Sequence, residues 1–268
     1  MKNKTVAVIG AGNMGRALIG GWLKAGLVKA ADIRASDAKP EALASLKKDF
    51  KVKTLEDNRA AVEGSSVVLL AVKPQNMAEV LAGLKGSVSS GQVVISIAAG
   101  VRIERIEQAL GGEVPVVRVM PNTPALVGAG AMVYCAGRNV KPGHEKTVEL
   151  LLGAVGAVWK ADEEWMDAVT ALSGSGPAYV FNLAENLASA GLELGLPAEL
   201  AESLARQTVY GAGLLLKQSS ESAAALREKV TSPGGTTAAA LSVLAEAGVP
   251  GIFKRALSAA CRRSRELS

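Results

Sequence analysis

An apolar run, Thr5-Val6-Ala7-Val8-Ile9, leads straight into Gly10-Ala11-Gly12-Asn13-Met14-Gly15, and residues at helical spacing follow. A β-branched strand, a turn with three spaced glycines and a helix together leave few folds open. Gly10 permits the tight turn, Gly12 lets backbone approach a pyrophosphate, and Gly15 lets helix and strand pack closely. The N–H groups that open the helix have no intrahelical partner and carry partial positive charge, which suits phosphate. A plain strand-to-helix turn could hold the same glycines. Their place between a strand and a helix favours dinucleotide binding, with Asn13 and Met14 in the same cradle.

The chain has 268 residues, enough for one large domain or two modest ones. Hydrophobic residues make up 49% and mean hydropathy is +0.25. The apolar runs are nonetheless broken by Gly, Lys, Glu or Ser well before the roughly 18 residues of a membrane span, so no membrane partner is expected. Aromatic residues are only 3%, which argues against base stacking. The net charge of +5 is mild and forms no dense basic stripe; Arg262, Arg263 and Arg265 read as a solvated helix face rather than a nucleic-acid patch. Such a balance suits small anionic ligands. Cys135 and Cys261 lie far apart, without metal-ligand spacing, and no metal is expected. Met1-Lys2-Asn3-Lys4 leads directly into a strand rather than a signal peptide, so the thiols are expected reduced in a cytoplasmic protein. The single histidine, His144, sits at a loop or helix start with no accompanying acid or nucleophile pattern, and reads as a surface residue.

The first half alternates strand and helix. Met14, Ala17, Leu18, Gly21, Trp22 and Ala25 recur at helical spacing until Gly26 ends the helix. Ile33–Ser36 reads as a second strand, and Pro40 opens a helix to about Asp49. Val67–Val72, Val93–Ala98 and Val116–Met120 are continuous apolar runs, as in a parallel sheet covered on both faces. Helices are expected near Asn76–Leu84 and Ile103–Leu110. This rhythm predicts an α/β fold with a doubly wound Rossmann sheet. After Ala161 no strand is evident. Helices are expected from Pro177 and Pro197, over about Ala223–Val230, Thr237–Ala247 and Ile252–Leu267. The predicted organisation is a dinucleotide-binding domain over 1–161 and an all-helical domain over 162–268. The helices are rich in Ala, Gly and Leu and too apolar to cover themselves, which predicts burial against a second subunit.

Three loops follow the apolar strands: Lys73-Pro74-Gln75 after Ala71 and Val72, Ala99-Gly100 after Ala98, and Pro121-Asn122-Thr123-Pro124. Open α/β sheets bind ligands at the carboxyl ends of their strands, so all three fall on one ligand edge. Past the second strand, Ser36 is followed by Asp37 and Lys39. An acid about 20 residues beyond the glycines accepts ribose hydroxyls and repels a 2′-phosphate. Asp37 could instead cap the Pro40 helix while Ser36 and Lys39 hold a phosphate. Both readings stand at this point.

These motifs resemble those of the pyrroline-5-carboxylate reductase family along almost the whole chain. The resemblance is carried by Gly10–Gly15, Ala71–Gln75, Ser96–Gly100, Met120–Pro124, Ser173-Gly174-Ser175-Gly176-Pro177-Ala178-Tyr179 and, most specifically, Leu226–Thr237. It implies reduction of a cyclic imine to proline with NADPH or NADH. It also implies a C-terminal domain that forms a homodimer by interleaving, with a decamer in some members. Ser232-Pro233-Gly234-Gly235-Thr236-Thr237 precedes a helix start and has glycines that let N–H groups approach an anion. By resemblance this loop binds the substrate carboxylate and Thr237 lies by the imine nitrogen, as the catalytic hydroxyl. Thr236 or Thr237 could also simply cap the helix. Ser173, Gly174, Ser175 and Gly176 form the other wall of the substrate site by resemblance; from sequence alone they read equally as a hinge. Two rival readings remain. A related imine or β-hydroxyacid reductase would use a lysine on a helix of the second domain, with Lys217 and Lys229 as candidates. A dinucleotide sensor would have no need for the anion loop.

Overall fold

The computed structural model describes residues 5–267. Eight strands form one sheet in the order β3-β2-β1-β4-β5-β6-β7-β8. The chain runs β1 (Val6–Ile9), α1 (Asn13–Lys24), β2 (Ile33–Ser36), α2 (Pro40–Phe50), β3 (Lys53–Leu55), α3 (Asn58–Val62), β4 (Val67–Leu70), α4 (Met77–Leu84), β5 (Val93–Ser96), α5 (Ile103–Leu110) and β6 (Val116–Met120). All neighbours from β3 to β6 are parallel. This is the strand order of a dinucleotide-binding sheet, with its reversal between β1 and β4. β7 (Gly130–Ala136) then pairs antiparallel to β6, α6 (Pro142–Gly153) follows, and β8 (Gly156–Lys160) pairs parallel to β7.

The two-faced burial explains the continuous apolar strands. Val6, Val8, Val67 and Leu69 point into one core with Leu18, Ile19 and Trp22 of α1, Leu46 of α2 and Leu151 of α6. Ala7, Ile9, Val68 and Leu70 point into the opposite core with Val62 of α3, Leu81 of α4 and Ile106 of α5. The indole N–H of Trp22 donates to the Leu151 carbonyl at 2.9 Å, so the largest buried side chain leaves no polar atom unpaired.

The expected elements are present with two differences. β4 and β5 stop at Leu70 and Ser96, two residues short of the expected ends, because the chain turns away there to form the ligand edge. β3, α3, β7, α6 and β8 are additional to those expected from sequence.

Beyond Lys160 the chain is helical: α7 (Met166–Val169), a π-helical turn over Thr170–Gly174, α8 (Gly176–Glu193), α9 (Ala198–Gln218), α10 (Ala223–Lys229), α11 (Thr236–Glu246) and α12 (Val249–Glu266). The described chain falls into two compact units. One holds the residues up to Ser175 together with those from Ala260, and the other is Gly176–Ala259. In the first, the last turn of α12 returns to α7: the Ser264 hydroxyl lies 2.7 Å from Asp167 Oδ1, and Arg265 Nε lies 3.8 Å from Oδ2. In the second, α8 and α9 pack closely at Gly191, where a Cβ would lie 3.2 Å from that of Ala201. Most large apolar side chains of the second unit stay uncovered, among them Phe181 at 65% and Leu194 at 85% exposure. Among the described residues no single helix is long and apolar enough to cross a membrane; α11 and α12 pass that test only as a pair bent by 53°.

Candidate active site

The glycine turn after β1 is built by three different constraints. Gly10 has φ +109° and sits where a Cβ would lie 2.6 Å from the Ala71 carbonyl oxygen, so neither the conformation nor the space admits a side chain. A Cβ on Gly15 would collide with the Gly10 carbonyl oxygen. Gly12 is different: a Cβ there would meet nothing within 4 Å. Gly12 is also the N-cap of α1, and no side chain caps that helix. Its exposed N-terminus, with Asn13 exposed and Met14 half-buried, carries no acidic residue in the first turn. The protein itself requires Gly10 and Gly15, and leaves the space over Gly12 open to a ligand.

A crevice of about 610 Å³ opens at the strand-order reversal. Gly10, Gly12, Asp37, Asn58, Ala71 and Lys73 are among its walls. Asp37 is fixed on both oxygens. Oδ2 accepts from the Ala11 N–H at 2.7 Å, and Oδ1 accepts from the Lys39 N–H at 2.9 Å. Asp37 therefore braces the glycine turn from the end of β2. It does not cap α2, whose N-cap is Lys39 without a side-chain bond. Ser36 does not face the crevice: it is fully buried, and its hydroxyl donates to Asn58 Oδ1 at 2.7 Å. Asn58, which sequence reasoning missed, takes its place at the wall. Val72 also lines the crevice, while Pro74 opens a short 3₁₀ turn just beyond it.

The other two loops lie at the ends of the next strands. Ala98 and Gly100 are buried and Ala99 is half-buried, with Gly100 at φ +77°. After β6, Asn122 has both ends of its amide engaged. Oδ1 accepts from the Ala131 N–H at 2.8 Å, and Nδ2 donates to the Ser173 carbonyl at 3.1 Å. The residue expected as a cofactor contact thus joins β6, the start of β7 and the π turn. The reason is visible in the sequence: a helical carbonyl at Ser173 would look to residue 177, and Pro177 has no N–H to offer. Ser173 and Gly174 belong to the π turn and Gly176 opens α8, so the expected hinge is helical. A Cβ on Gly174 would collide with Met120 Cε, so the end of that flexible side chain would have to shift to admit one.

In the second unit, the loop before α11 forms a turn closed by the Gly235 N–H donating to the Ser232 carbonyl at 3.0 Å. Gly234 has φ +71°, and a Cβ on Gly235 would lie 2.5 Å from Ser232 Oγ. Gly235, not a threonine, is the N-cap, and no side chain caps the helix. Thr236 and Thr237 are its first two residues, so capping consumes neither hydroxyl. Lys229 is held by Glu221 at 2.6 and 2.8 Å. His144 is half-buried at the start of α6, where Nδ1 accepts from the Lys141 N–H at 3.2 Å.

Parallel strands ordered 3-2-1-4-5-6 with this glycine turn at the reversal define the class of dinucleotide-binding proteins. Residues 163–267 match the model for pyrroline-5-carboxylate reductase dimerisation, and residues 5–100 match that for NADP oxidoreductase, coenzyme F420-dependent. The chain is 45% identical to a pyrroline-5-carboxylate reductase of Pseudomonas aeruginosa over 100% of its own length and 98% of the relative's. The solved pyrroline-5-carboxylate reductase of Coxiella burnetii superposes with TM-score 0.93 at 38% identity, covering 100% of this chain and 99% of that one. The Plasmodium falciparum pyrroline carboxylate reductase, solved with NADP bound, gives 0.89 at 33% identity, over 100% and 99%. The chain belongs to the pyrroline-5-carboxylate reductase family.

Proposed function

We propose that this protein reduces pyrroline-5-carboxylate to proline, using NADPH or NADH. The observation that carries the reading is likeness along both parts of the chain at once, with 45% identity over the full length to a reductase of this name. The crevice and the open space over Gly12 fit a dinucleotide. When bound, its nicotinamide supplies the hydride, so the protein needs neither nucleophile nor metal. A protonated cyclic imine is already electrophilic, and the protein's work is to hold it and exclude water.

In this reading Gly10, Gly12, Asn13, Met14 and Gly15 cradle the pyrophosphate. Asp37 borders the adenosine ribose, with Ser36 acting through Asn58. Ala71, Val72, Lys73 and Pro74 flank the dinucleotide, and Ala98, Ala99, Gly100 and Asn122 border the nicotinamide side. Ser232, Gly234, Gly235 and Thr236 grip the substrate carboxylate at the start of α11. Ser173, Gly174, Ser175 and Gly176 contribute the other substrate wall. The Thr237 hydroxyl serves the imine nitrogen. An ionised carboxylate offers about four acceptor positions, so Asp37 keeps capacity for ribose hydroxyls after bonding Ala11 and Lys39. Its negative charge disfavours a 2′-phosphate, and Lys39 offsets part of that.

We assign dinucleotide binding to 1–161, and substrate binding with dimerisation to 162–268. The dimerisation match from residue 163 supports this division. The homodimer forms through the C-terminal part, with a decamer as the larger assembly, and the enzyme works in the cytoplasm on a small-molecule substrate without nucleic acid or membrane. A hydroxyacid reductase would use Lys217 or Lys229; Lys229 pairs with Glu221, which leaves Lys217 as the candidate for that rival reading. The test is oxidation of NADPH and of NADH with and without pyrroline-5-carboxylate. Cofactor consumption that requires the imine and yields proline supports the reading. Consumption with a hydroxyacid alone, or none with the imine, overturns it.

A further inference from the structure

The helical run from Glu163 to Gly174 is tied at both ends to residues elsewhere in the first unit. Its far end is bonded by Asn122. Its near end rests on one oxygen atom. Glu163 Oε1 accepts from the Ile103 N–H at 2.8 Å and pairs with Arg118 Nη1 at 3.2 Å. Ile103 opens α5, three residues past Gly100. Arg118 lies in β6, two residues before Met120. One carboxylate oxygen thereby joins the segment after β5, the strand that leads to Asn122 and the start of the run to the π turn.

Arg118 is only 4% exposed. A buried guanidinium is a costly way to fill a sheet, since an apolar side chain of similar volume would pack there without desolvation. What the cation provides is a directed, charge-assisted bond at a fixed point. From this we infer that Glu163 is a positioning residue for the reduction. It touches no reactant. It sets the spacing between the Ala98–Gly100 loop and the Ser173–Gly174 turn, which are the cofactor and substrate sides in the function proposed above. The inference rests on that reading for its catalytic consequence and on geometry alone for the tie itself.

Three variants test it: Glu163→Ala, Glu163→Gln, and the double variant Arg118→Met with Glu163→Leu. The last removes the tie without leaving a buried charge unpaired. For each, kcat, both KM values, the thermal midpoint and amide hydrogen exchange over residues 98–103 and 170–175 are measured. Displacement of a reacting group by a fraction of an ångström to 1 Å costs about ten- to a hundredfold. Glu163→Ala is therefore expected to lower kcat about tenfold or more, with the dinucleotide KM within about threefold. Exchange should quicken in both segments together. Glu163→Gln keeps an oxygen for the Ile103 N–H and recovers most of that loss. The double variant recovers the thermal midpoint but neither kcat nor exchange protection. Recovery of kcat along with the midpoint would reduce Glu163 to a stabilising residue and overturn the inference. So would faster exchange confined to the residues beside Ile103, with kcat within about twofold of wild type. If the wild-type protein is inactive on the imine while Glu163→Ala still quickens exchange in both segments together, the proposed function falls and the tie stands.

Discussion

Gly12 and Gly15 differ in what requires them. A side chain at Gly15 collides with the Gly10 backbone, whereas one at Gly12 meets no protein atom. Gly15→Ala should cost roughly 1–3 kcal/mol of stability through forced backbone shifts. Gly12→Ala should cost under about 1 kcal/mol, the usual span for an N-cap change, yet weaken dinucleotide binding about tenfold or more by blocking close approach. Denaturant unfolding and cofactor titration separate the two; equal losses on both measures would contradict the distinction. Thr237→Ala should lower turnover about ten- to hundredfold, the worth of one hydrogen bond of about 1.5–3 kcal/mol to a charged group, with cofactor affinity kept. Since Gly235 is the N-cap, the variant should unfold at nearly the wild-type midpoint. Burial, with the Glu163 charge nearby, pushes the Cys135 thiol from 9.0 up to about 12. Its folded value is raised, so its contribution to stability is whole below about pH 9 and fades as pH rises toward 12. The stability gap between wild type and Cys135→Ala should shift against wild type across that window; a constant gap would mean the thiol titrates normally. At this scale Gly10 and Gly15 were legible because each is a backbone requirement. The double bonding of Asp37 and the burial of Ser36 were not, because both depend on β1 and β2 lying side by side, which no local pattern encodes.

Among the elements, those read correctly from sequence are long or strongly periodic. α1 announces itself through its apolar stripe and Gly26, and β4 through an unbroken run. The missed ones are short or masked. α3 has five residues, too few for a period to show, and it exists because the Asp57 carboxylate accepts from the N–H groups of Arg59 and Ala60. That short helix begins with Asn58, which lines the crevice and receives the Ser36 hydroxyl. Asp57→Ala should therefore cost about 1 kcal/mol of stability and also weaken dinucleotide binding, as read by unfolding and by titration of the cofactor. A loss of stability with unchanged affinity would detach α3 from the site. β7 and β8 were hidden by glycine: Gly130 and Gly156 start the two strands, and a Cβ on Gly156 would collide with Gly130 backbone. Glycine reads as a loop signal, but here it marks two backbones in close approach. The π turn escaped notice because its register depends on Asn122 meeting the Ser173 carbonyl from a distant loop.

For the whole molecule, the apolar surface of the second unit was the clearest message of the composition. Leu204 is 49% and Leu215 54% exposed on α9, and a helical unit with such a surface does not remain wet. An obligate pair buries on the order of 2,000 Å² or more. Leu204→Glu should dissociate or unfold the protein, as followed by light scattering at micromolar concentration; a wild-type protein that is a stable monomer under those conditions would end this expectation. What the sequence could not reveal is where the chain goes last. The final turn of α12 is bonded to Asp167, ahead of the point where the chain departs into the second unit. The second unit is therefore an excursion anchored at its exit and at its return. A protease that nicks the exposed stretch between α9 and α10, around Ser220, severs the covalent path once and leaves each fragment still carrying one anchor. The nicked protein should run as two bands in denaturing gels and as a single species in native ones.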